Sequence, residues 1–71
     1  MIRVVEQYIH TVIGQMRSKR AQAASAEELR DHMECQIAEY MAEGMSEEEA
    51  STQTVKDMGD PVVVGMQLDQ V

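Results

Sequence analysis

Apolar residues recur along the first part of the chain at Ile2, Val5, Ile9, Val12, Ile13 and Met16, in steps of three and four with one adjacent pair. That spacing lines one face of an α-helix. It predicts a first helix over about residues 2–19. The stretch RSKRAQAAS, Arg17 to Ser25, then loses the stripe. Ser25 opens the tetrad SAEE, in which a Ser side chain and a Glu three residues later can satisfy each other's free backbone N–H groups. Ser25 as N-cap with Glu28 as its partner predicts a second helix over 26–43. Leu29, Met33, Ile37, Tyr40 and Met41 lie on one face of it, and Glu27, Glu28, Asp31, Glu34, Glu39 and Glu43 lie mostly on the others. Gly44 closes this helix, because glycine takes the left-handed backbone conformation that ends many helices.

The same logic repeats in GMSEEEA. Ser46 is the N-cap, Glu49 its capping-box partner, and three acids fill the first turn, where the helix dipole favours them. Met45, just before the cap, is placed to staple onto Ala50. A third helix over 47–58 turns Ala50, Thr54, Val55 and Met58 inward and stops at Gly59. Asp60 and Pro61 then restart the chain. Proline suits the first helical position, where its missing N–H costs nothing, and it forces the preceding residue out of the helical region. The third helix therefore cannot run into the fourth, predicted over 61–70 with Val64, Leu68 and Val71 on one face and Val62 and Val63 as alternatives. A strand in this Val-rich stretch would have no pairing partner in the chain. The expectation is a single all-α domain over 1–71, a small bundle of three to four short helices.

Composition narrows what such a domain can do. At 71 residues it has little room for an enclosed active site. With 44% hydrophobic residues, seven Met, no Trp and no Phe, thioethers must supply much of the core volume. A second use of Met33, Met41, Met45, Met58 and Met66 is a deformable groove for a partner helix. No apolar run approaches the roughly 20 residues that span a bilayer. The single Cys35 makes no internal disulfide and suits a reducing compartment. The formal net charge is −7, unevenly placed. Residues 1–24 carry four cations and one acid, whereas residues 25–71 carry two cations and twelve acids. Phosphate-backbone binding needs clustered Lys and Arg, so direct nucleic-acid binding is not expected. The one basic cluster, Arg17 to Arg20, reads as cations at a helix C-terminus complementing the dipole, with a lipid-headgroup or acidic-partner contact as the other reading.

Candidate chemistry is sparse. His32 and Cys35 are three residues apart and share a helix face, and His10 would have to reach them from the first helix. A zinc site needs three or four ligands in tetrahedral geometry, so no metal site is expected. The paired glutamates sit in exposed first turns, without the burial a general acid requires. Gly14, Gly44, Gly59 and Gly65 are isolated and form no phosphate loop. No catalytic site, cofactor or metal is expected.

From EELRDH through EYMAEGMSEEEA to MGDP and the final Val-rich helix, the ordered set of segments resembles the HAAS family, also called permease prefix domains. The pattern's Glu28, Leu29, Asp31 and His32 open it, and the likeness extends over roughly residues 2–70. Its members sit at the cytoplasmic N-terminus of bacterial multi-pass membrane proteins, some permease-like and some of the FtsW/RodA/SpoVE cell-shape and sporulation type. They are often encoded beside PadR-like transcription regulators. The resemblance implies a helical signalling module at the inner face of the membrane, whose partner is a PadR-like regulator or the parent membrane domain. The chain ends before any membrane span, so attachment would come from residues outside it. Candidate partner-facing residues are Glu27, Asp31, Glu34, Met41 and Met45, set off by the caps and turns at Ser25, Glu28, Gly44, Ser46, Glu49, Gly59, Asp60 and Pro61. The competing readings are a free-standing transcription-associated protein and a homo-oligomerisation module.

Overall fold

The computed structural model describes residues 3–69. Ile2 and Val71, assigned above to helix faces, lie outside them, as does Gln70. Four helices follow one another: α1 (Arg3–Gly14), α2 (Lys19–Ala42), α3 (Glu47–Met58) and α4 (Pro61–Asp69). The all-α bundle expected from the sequence is the one observed, with no strand among the described residues. Its longest dimension, 38 Å, is set by α2, whose 24 residues at 1.5 Å each span about 36 Å.

α1 is the hub and packs against each of the other three helices. Val5, Ile9 and Val12 of its stripe are buried as their spacing demands, and with Tyr8 beside them they form the core with Met33 of α2. Around them pack Leu29 and Ile37 of α2, Val55 and Met58 of α3, and Val64 and Leu68 of α4, all half-buried. The directions follow from cross-helix contacts. Between Glu6 and Ile13, the partners on α2 step back from Arg30 to Gln22, so α1 and α2 are antiparallel. Between Val12 and Arg17 the partners on α4 advance from Gly65 to Asp69, so α1 and α4 are parallel.

The parallel pair depends on Gly65, whose backbone lies against α1. A Cβ there would overlap the Val12 carbonyl oxygen and come within 2.8 Å of Cβ and Cγ of Gln15. A residue that reads as a poor helix former thus permits the close approach. Ser51 and Thr54 do related work on α3. Both are buried, and each hydroxyl donates back to the carbonyl four residues earlier, to Glu47 and Ala50 respectively, at 2.8 Å.

Three of the boundaries read from the sequence form by the mechanism assigned to them. Ser46 accepts from the Glu49 N–H, and the Glu49 carboxylate accepts from the Ser46 N–H, both at 3.1 Å. Gly44, at φ 107°, terminates α2 with paired bonds from Met45 N–H to Tyr40 O and from Gly44 N–H to Met41 O. At the following junction Gly59 takes φ 90°, and Asp60 accepts the Val62 N–H on its carboxylate at 2.9 Å before Pro61 opens α4.

The first junction differs from expectation. α1 stops at Gly14, not near 19, and α2 starts at Lys19, not 26. Its N-cap is Ser18, whose hydroxyl accepts from the Ala21 N–H at 3.2 Å. Ser25 and Glu28 lie inside α2 and cap nothing. The reason is local propensity plus one tertiary bond pair. Lys19 to Ala24 are all good helix formers. A helical Gln22 also donates its side-chain amide to the Ile13 and Met16 carbonyls, at 3.0 and 2.7 Å, closing the end of α1. The Arg17 to Arg20 cluster accordingly does not sit in the last turn of a helix. It occupies the α1–α2 connection and the first turn of α2, where the dipole disfavours cations.

Gly65→Ala should destabilise the domain by about 1–3 kcal/mol through overpacking, lowering the melting midpoint by roughly 5–20 °C. Gly14→Ala, with nothing within 4 Å of its added Cβ, should leave the midpoint unchanged or raise it. Circular dichroism melts of the two variants check the contrast.

Candidate functional site

The described residues offer three surfaces. The first is the outer side of α4. With Gly65 turned against α1, and with Val64 and Leu68 toward the core, the helix leaves Val62, Val63 and Met66 outside, 41%, 48% and 52% exposed. These positions are spaced by one, three and four, so they share one face. Among the described residues the only other large apolar side chain this exposed is Met41, near the end of α2. The methionines therefore divide by role. Met16 and Met33 are buried, Met45 and Met58 half-buried, and Met41 and Met66 exposed.

The second surface is an open groove of about 670 Å³ between α1 and α2, lined by Arg3, Glu6, Ile9, His10, Ile13 and Arg30 among others. Its lining mixes apolar Ile9, Ile13 and Ala26 with polar and charged side chains. Arg30 grips Glu6 with two bonds, Nη2 to Oε1 at 2.8 Å and Nε to Oε2 at 3.1 Å. The hydrogen bond from Arg30 holds the Glu6 carboxyl below its ordinary range. The third is a smaller apolar cleft of about 210 Å³ where Leu68 of α4 faces Ser25, Glu28, Leu29 and His32 of α2.

The predicted partner-facing residues fall in different places. Glu27, Asp31 and Glu34 are exposed along α2. Met41 is exposed at its far end, and Met45 is half-buried in the turn that follows. His32 lines the α2–α4 cleft, whereas His10 lies in the α1–α2 groove, so the two histidines are not brought together. Cys35 is exposed, and no cluster of three His, Cys, Asp or Glu side chains placed for a metal occurs among the described residues. No helix among them is long and apolar enough to cross a membrane.

Four polar contacts went unread in the sequence. Besides Glu6–Arg30 and the Gln22 amide, Arg17 clasps Asp69, its backbone N–H on Oδ1 at 2.9 Å and its Nε on Oδ2 at 3.2 Å. The backbone donor is the main reason the Asp69 carboxyl titrates low. The Tyr40 hydroxyl donates to Asp57, tying the end of α2 to α3 and drawing the Asp57 carboxyl down. These contacts join residues 6 to 52 positions apart, which spacing along the chain does not reveal. Tyr8 also departs from the reading. It is buried beside the stripe, with a hydroxyl that has no protein partner, and burial pushes its pKa up.

No protein-family model matches the sequence, nor does any curated protein or solved structure.

Arg30→Gln should return the Glu6 carboxyl to the ordinary glutamate range, read as an upward shift of its midpoint in an NMR titration. Glu6 is lowered in the folded state. Its contribution to stability is therefore present above the unfolded-state pKa and lost as pH falls through the folded-state value. The variant should accordingly lose less stability on acidification than the parent.

Proposed function

We propose that this chain is a non-catalytic protein-interaction module of the HAAS, or permease prefix, kind. In this reading it stands at the cytoplasmic face of a multi-pass membrane protein and is coupled to a PadR-like transcription regulator. The observation that carries the reading is the uncovered apolar face of α4, Val62, Val63 and Met66. A helix that buries one side and bares Val and Met on the other has apolar surface to give a second protein. Adaptable methionine is suited to such a contact.

The resemblance supplies the class of partner, and the position of α4 supplies a route for coupling. α4 is fixed to the hub helix by Gly65 and to the connection that follows it by the Arg17–Asp69 clasp. A partner pressing on its outer face therefore acts on the element that also closes the core. Interfaces centred on a few such side chains are small, which suits reversible signalling rather than permanent assembly.

The test is isothermal titration of the purified chain with a PadR-like regulator encoded in the same operon. The parent should bind. Val63→Asp with Met66→Asp should weaken binding at least tenfold, about 1.4 kcal/mol, while the helical circular dichroism is kept. Absence of binding by the parent, or equal binding by the double variant, would contradict the proposal.

A further inference from the structure

The placement of charge assigns a further surface. Arg17, Lys19 and Arg20 are all exposed, in the connection before α2 and in its first turn. No acid occupies that first turn, so the cations sit where the helix dipole opposes them. Their position is not explained by helix stability. Among the described residues one acid, Asp69, answers them locally, through Arg17. Glu27, the next acid along α2, is about 10 Å further on, a separation at which surface charges are largely screened in physiological salt.

The molecule is therefore electrically polar end to end. Five acids stand at the opposite end, Glu39 and Glu43 of α2 and Glu47, Glu48 and Glu49 of α3, and Glu27, Glu28, Asp31 and Glu34 lie along α2 between the two ends. Arg20 and Glu43 stand about 35 Å apart along α2. The last described residue of α4 lies at the basic end, because Asp69 is held by Arg17.

We propose that this basic end docks on an anionic phospholipid surface, with Arg17, Lys19 and Arg20 meeting the headgroups. The inference builds on the reading of the chain as a domain held beside a membrane. A flat bilayer is the occupant that fits. It meets one end of an elongated molecule and leaves the acidic end several screening lengths away. A nucleic acid would need more phosphate contacts than three cations provide.

The experiment is vesicle co-sedimentation of the full chain at low ionic strength. It uses neutral phosphatidylcholine vesicles and vesicles with about one-third phosphatidylglycerol, enough to give a strongly negative surface. The parent should bind only the anionic vesicles, and more weakly as salt rises. Lys19→Gln with Arg20→Gln should lower the partition coefficient about 30-fold, at the usual worth of a basic residue near an anionic leaflet. Both side chains are exposed, and circular dichroism should show the fold kept. Three results would overturn the inference: no binding to anionic vesicles, binding untouched by the double substitution, or tighter binding to a short DNA duplex at the same salt. The outcome is separable from that of the partner titration, because Val63→Asp with Met66→Asp should leave vesicle binding intact.

Discussion

The structure depends on the burial of one short helix. α1 supplies Val5, Tyr8, Ile9 and Val12 to a five-residue core, and the remaining helices are arranged to cover it. A 71-residue chain has only a few kcal/mol of net stability, roughly 4–10 by size. Each of these side chains contributes about 1.5–3 kcal/mol by leaving water, so displacing α1 from its three neighbours would remove most of what favours folding. The covering helices are fastened at the rim by polar bonds. Arg30 holds Glu6 on the α2 side, Gln22 closes the carbonyl end, and Arg17 holds Asp69 on the α4 side. The Arg17–Asp69 pair, being exposed, contributes little energy of its own; together these bonds fix direction and register.

What could be read from the sequence divides along physical lines. Features set by neighbours in the chain were legible: the α1 stripe, the reciprocal cap at Ser46 and Glu49, the glycine stop at Gly44, and the restart at Asp60 and Pro61. Each is decided within about four residues. The start of α2 was not legible, because two serines compete for it. The capping-box pattern favours Ser25, while the helix-forming run after Ser18 and the long-range bonds of Gln22 favour Ser18. Gly65 was misleading for a similar reason. Its meaning lies in the backbone of α1, more than fifty residues earlier in the chain. The surfaces were only partly legible. The acidic side of α2 is exposed as its periodicity implied. The outward face of α4 emerged only once Gly65 fixed which side of that helix turns in.

Moving the start of α2 also changes the electrostatic reading. Cations at the end of one helix would complement its dipole. The same cations at the beginning of the next oppose it, so their placement calls for something outside the domain. Topology adds to this. Because α1 and α4 run parallel, the connection carrying Arg17 and the end of α4 come together, opposite the glutamates that surround the α2–α3 turn. An elongated molecule thus carries cations at one end, acids at the other, and an uncovered apolar helix face between its two ends.

Native-state hydrogen exchange tests the central role of α1 most directly. If α1 is the hub, the amides of Ile9 and Val12 should exchange only through global unfolding, with an opening free energy equal to that from chemical denaturation. The first turn of α2, with its exposed cations and no buried side chain before Met33, should open more readily. Exchange of the Ile9 and Val12 amides at a lower free energy than amides in the middle of α2 or α3 would contradict the account, because α1 would then be a helix that can leave a core formed without it.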